Sequence, residues 1–110
     1  MQKLSLDALA RELLERAAGA AGGRAAQTVV GGHEILLRQA VIAMSKDAAL
    51  IEHANPGAAS VHVLHGRVVI TVGGQAWEGR DGDLLIIPDA PHSLQALQDS
   101  AVLLTVAQHP

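Results

Sequence analysis

Beyond Ala25 the chain is cut into short apolar runs by turn residues recurring roughly every 8–12 positions, and this rhythm limits the fold more than any other feature. The runs are Gln27–Val30, Glu34–Met44, Leu50–Ala54, Ala59–His65, Val68–Val72, Gln75–Glu78, Asp83–Ile87, Ser93–Ala96 and Ala101–Val106. Breaks between them include Gly31-Gly32, Asn55-Pro56-Gly57, Gly73-Gly74 and Arg80-Asp81-Gly82. Gly73-Gly74 between two candidate strands predicts a tight hairpin. The whole pattern predicts an antiparallel sandwich or barrel. Leu84-Leu85-Ile86-Ile87 and Val102-Leu103-Leu104 are apolar on both faces. One face would line the interior, and the other would meet a second sheet or a neighbouring subunit.

Ser5–Ala18 has a different period. Leu6, Leu9, Leu13 and Ala17 repeat at helical spacing, with Ser5 as the N-cap and Asp7 in the first turn. Gly19, Gly22 and Gly23 end the helix. The chain therefore divides into an N-terminal helix and linker, residues 1–24, and a β domain, residues 25–110.

A length of 110 residues supports a single domain. There is no cysteine, which excludes a disulfide framework, a thiolate metal site and redox thiol chemistry. Eight basic against eleven acidic residues, with no run of like charge, argue against a nucleic-acid or anionic-membrane surface. The longest uncharged apolar stretches, around Gln39–Ser45 and Leu84–Pro88, are too short to span a bilayer. Asp7, Glu12 and Glu15 are foreign to a signal peptide, so the expected location is cytoplasmic. Phe and Tyr are absent and Trp77 is the one aromatic residue. The core must then be built from Val, Ile, Leu and Ala, and a pocket has only Trp77 for stacking.

Between Ile51 and Ala96 the residues acquire a more specific order. His53-Ala54-Asn55-Pro56-Gly57 is followed by Gly66, then by Gly82-Asp83-Leu84-Leu85-Ile86-Ile87-Pro88 and Pro91-His92. This order resembles the two motifs of the cupin superfamily, in its small single-domain form. His53 matches the first motif's leading histidine and Gly66 its closing glycine. Gly82 and Pro88 match the second motif at the proper interval, and fifteen residues separate Gly66 from Gly82. Asn55 stands at the second histidine, Ala59 at the glutamate, Asp47 at the leading glycine, Ala90 at the second motif's glycine and Ala96 at its asparagine. His92 comes one residue early.

The resemblance implies an all-β, double-stranded β-helix with a short N-terminal α-helix, pairing as a homodimer. It also implies one divalent transition metal (Zn, Cu, Fe, Mn or Ni) inside the barrel, with His53 and His92 as the two retained ligands. The lost carboxylate weakens such a site, which favours a module holding a small-molecule ligand, with Asn55 and Trp77 as ligand-binding candidates. The alternative is a metal-dependent enzyme of the oxygenase, isomerase or lyase type on His53 and His92. A third reading leaves both histidines as hydrogen-bonded residues of the barrel mouth.

The remaining residues carry less. Strand alternation turns His62 away from the face of Ala59, Val61 and Val63, while parity places His65 inward at the strand end. His33 lies in a turn and His109 near the C-terminus, both solvated. Ser60, His62 and Ser93 lack a nucleophile elbow. Gly31-Gly32 and Gly73-Gly74 open no helix, so no phosphate loop and no nucleotide cofactor is expected.

Overall fold

The computed structural model describes residues 1–32, 35–53 and 57–108, with residues 51–53 and 57 described through their backbone alone. Helix α1 (Leu6–Gly19) begins where the Ala8 N–H donates to Ser5 Oγ at 3.2 Å, the cap that the sequence predicts. The strands are β1 (Arg24–Val30), β2 (Leu37–Met44), β3 (Ala49–His53), β4 (Gly57–His65), β5 (Arg67–Val72), β6 (Gln75–Arg80), β7 (Leu84–Ile87), β8 (His92–Ala96) and β9 (Ser100–Gln108). They form a five-stranded sheet in the order β1-β2-β9-β4-β7 and a four-stranded sheet in the order β3-β8-β5-β6. Every ladder is antiparallel. Two such sheets with one short helix fit a double-stranded β-helix.

Side-chain alternation assigns each apolar residue to one of two layers. Ile42 and Met44 of β2, Val61 and Val63 of β4, and Val102 and Leu104 of β9 enter the space between the sheets, with Val68, Ile70 and Leu94 from the other side. Val41, Ala43 and Leu103, one position out of phase, form a second cluster with Leu13 and Ala17 of α1. The doubly apolar run Val102-Leu103-Leu104 thus has its outer face covered by the chain's own helix. Strand β7 has no such cover: Leu84 and Ile86 point outward, 57% and 73% exposed.

His65 departs from the parity reading. The β4–β9 register shifts between Val63 and His65, and this irregularity carries His65 out of the inner row. Its side chain is 60% exposed, with Nδ1 lying 3.8 Å from an Asp81 oxygen.

The conserved-looking skeleton of the two motifs has a backbone explanation. Gly66 has φ +98°, and a Cβ there would lie against Ser100 Oγ and 2.6 Å from the Asp99 carbonyl oxygen. Asp47, where the motif has glycine, has φ +73° and so keeps the left-handed turn with a residue that tolerates it. At Gly79 a Cβ would come 2.9 Å from Leu85 Cδ1 and 3.2 Å from Val63 Cγ2. Gly79 is therefore where the edge of the four-stranded sheet touches the five-stranded one.

Two substitutions separate these roles. Gly66→Ala should lower stability by about 3 kcal/mol or more, since strain and backbone collision add. Asp47→Gly should leave stability unchanged or raise it by up to about 1 kcal/mol, because a non-glycine φ penalty is removed. Urea denaturation followed by far-ultraviolet circular dichroism measures both. A clear loss in Asp47→Gly would contradict the turn assignment.

Candidate functional site

The four-stranded sheet is a grid set by register. One rung runs across all four strands as His53, His92, Val72 and Gln75. The next runs Leu50, Leu94, Ile70 and Trp77. Residues opposite one another in an antiparallel ladder share a face, and adjacent strands stand about 4.8 Å apart. His53 and His92 are therefore neighbours in the ladder, while Gln75 lies two strands beyond His92.

His92 is 4% exposed, and its Nδ1 lies 3.3 Å from the Ala90 carbonyl oxygen. A void beside the ring is lined by Leu50, Ile70 and Leu94 from its own sheet and by Ile42, Val61 and Leu104 from the facing one. The void they leave is only about 20 Å³. That is room for about one water molecule.

Ala59, at the motif's glutamate position, is buried between Ile87 and Val106 in its sheet. Among the described residues no three His, Cys, Asp or Glu side chains come together where a metal could sit. The described donors thus do not make up the family's ligand set. The His53 side chain and all of Asn55 lie outside the described residues, as do His33 and His109. His62 stands on the outer face, across from Leu84 of β7 and Leu103 of β9.

A larger space opens at one side. Strands β6 and β7 are the edges of their two sheets, and no described strand pairs with either free edge. Between them lies a cleft of about 570 Å³, lined by Val72 and Gln75 at one end, Trp77 on one wall, Leu85 and Ile87 on the other, and Ile70. Trp77 is 45% exposed and, as the ladder partner of Ile70, belongs to the inner face of β6. Ile70 lines both this cleft and the void beside His92, so one isoleucine side chain separates them.

Sequence reasoning found Trp77 but not Gln75 or the cleft. The available signal was the shared parity of Gln75, Trp77 and Gly79, together with four successive aliphatic residues in β7.

Comparison with known proteins gives a consistent picture. A family model described as the cupin domain matches residues 40–107. A conserved protein of unknown function from Streptococcus pyogenes superposes with a TM-score of 0.75 at 25% identity, over 83% of this chain and 79% of that one. A cupin superfamily protein from Desulfitobacterium hafniense gives 0.73 at 15% identity, over 78% of each chain. KdgF from a Halomonas species gives 0.66 at 20% identity, over 82% of this chain and 84% of that one. No curated protein matches the sequence.

The burial of His92 predicts a chemical order. With diethyl pyrocarbonate, His65 should be modified rapidly, and His92 only as fast as the strands open. Ile70→Gly should expose His92 to reagent entering from the cleft and speed its modification, as read by peptide mass spectrometry. Rapid modification of His92 in the unaltered protein would contradict the filled interior.

Proposed function

Because the chain belongs to the cupin-domain family over residues 40–107, we propose that it is a binding module that holds a small molecule at the β6–β7 edge of the barrel. The observation that carries this reading is the contrast between two spaces. The cleft of about 570 Å³ falls within the range of small-molecule sites, roughly 300–1,000 Å³, and the void at His92 of about 20 Å³ lies far below it. Trp77 is the stacking surface in this reading. The role proposed for Asn55 rests on the sequence alone, as does a cytoplasmic location.

A weakly held divalent metal at His53 and His92 belongs to the same proposal, and their adjacent ladder positions support it. Two imidazoles with Ala59 at the carboxylate position hold a transition metal less firmly than the full set. The metal-dependent enzyme finds less support: it requires a substrate beside the metal, and among the described residues the void at His92 holds only about 20 Å³. The expected homodimer is supported by β7, whose exposed Leu84 and Ile86 lie on an edge strand carrying no charge, proline or bulge.

Trp77 makes the binding reading directly measurable, since no other aromatic residue emits. Titration with the neutral dye N-phenylnaphthylamine should give saturable, one-to-one quenching of Trp77 by energy transfer. Val72→Phe, which fills the cleft from the β5 side, should weaken binding by about tenfold, close to 1.4 kcal/mol. Absence of saturable quenching would sink the proposal.

For the metal, elemental analysis after dialysis should find well under one zinc or copper per chain. A stoichiometric metal lost in both His53→Ala and His92→Ala would instead promote the enzyme.

A further inference from the structure

We propose that the cleft selects an uncharged molecule with a flat unsaturated face, laid on the Trp77 indole and oriented by the Gln75 carboxamide, and that it rejects anions. This deepens the binding reading above and rests on it.

Charge is kept out by strand alternation. On β6 the residues Gln75, Trp77 and Gly79 share the inner face, while Ala76, Glu78 and Arg80 take the outer one. Glu78, the acid next to Trp77, is held on that outer face by Arg67, with Nη2 donating to Oε2 at 2.6 Å. Arg67 and Arg80 border a separate hollow with Asp81 and Gln98. Among the described residues, none that lines the cleft is ionisable. A phosphate or carboxylate entering it would lose hydration without gaining a counter-charge, which costs far more than burying a neutral group.

Shape narrows the class further. Ile70 and Ile87 line the cleft yet are only 2% and 5% exposed, so the space deepens between the sheets from a rim that includes the exposed Leu84, Ile86 and Trp77. A compact molecule suits that depth better than an extended peptide. Strand β7 and Pro88 offer aliphatic groups opposite the indole, an arrangement that takes a planar ring between them. Gln75 is the one side chain of the lining with both a hydrogen-bond donor and an acceptor group, so it would fix the orientation of a carbonyl or hydroxyl.

The test compares two dyes with one skeleton, N-phenylnaphthylamine and its sulfonated counterpart anilinonaphthalene sulfonate, each followed by energy transfer from Trp77. The neutral dye should bind tighter by about tenfold or more. Gln75→Lys, an exposed position, should narrow or invert that ratio by supplying a cation. Trp77→Leu, followed by dye emission, should weaken the neutral dye by about two- to tenfold while keeping apolar bulk. Equal affinities for the two dyes would overturn the charge selection and leave the cleft as a binding site. An unchanged affinity in Trp77→Leu would overturn the stacking role. If neither dye quenches Trp77, the binding reading itself falls.

Discussion

The two sheets are held together mainly by aliphatic side chains, with the buried Ser100 hydroxyl bonding the Arg67 backbone of the facing sheet. In many small domains aromatic residues supply much of the buried area, and their size keeps facing layers apart around irregular gaps. Here Val, Ile, Leu, Ala and Met fill the interior in alternating rows, and Gly79 lets the sheets touch at one corner. Packing of this kind leaves little empty space beside His92. The larger open space lies instead where the alternation stops, at the free edges of β6 and β7. The one aromatic side chain stands at that edge, half out of water.

The same packing explains what persisted of the family motifs. Gly66 is fixed by backbone geometry, and Asp47 meets a similar demand with a tolerated substitute. Such positions are demands of the backbone itself, whatever the chain binds. The ligand positions face a different requirement, since their side chains matter only if a metal is held. Ala59 gives up the carboxylate and gains a place in the apolar row between Ile87 and Val106. The backbone skeleton and the ligand positions therefore answer to separate physical demands.

Much of the fold was legible because turn residues and two-residue alternation are local signals. The helix from Ser5, the Gly73-Gly74 hairpin and all nine runs have counterparts in the structure, displaced by a few residues at their ends. His62 could be turned outward by parity alone. His65 could not, because the irregularity after Val63 arises from pairing with β9, distant in sequence. The cleft was hidden for a related reason. It depends on which strands become edges, and that follows from sheet order rather than from any one segment.

The placement of β9 has a consequence for how the molecule assembles. It lies in the middle of the five-stranded sheet, between β2 and β4, yet it is the last of the nine strands to be synthesised. Until it arrives, β1–β2 and β4–β7 are separate hairpin-like fragments with no ladder between them. Each fragment carries an apolar inner face, including Ile42 on one and Val61 on the other, that has nothing yet to pack against it. Strand β9 is therefore the seam that closes both halves at once, and until it is in place their apolar faces stay open to solvent.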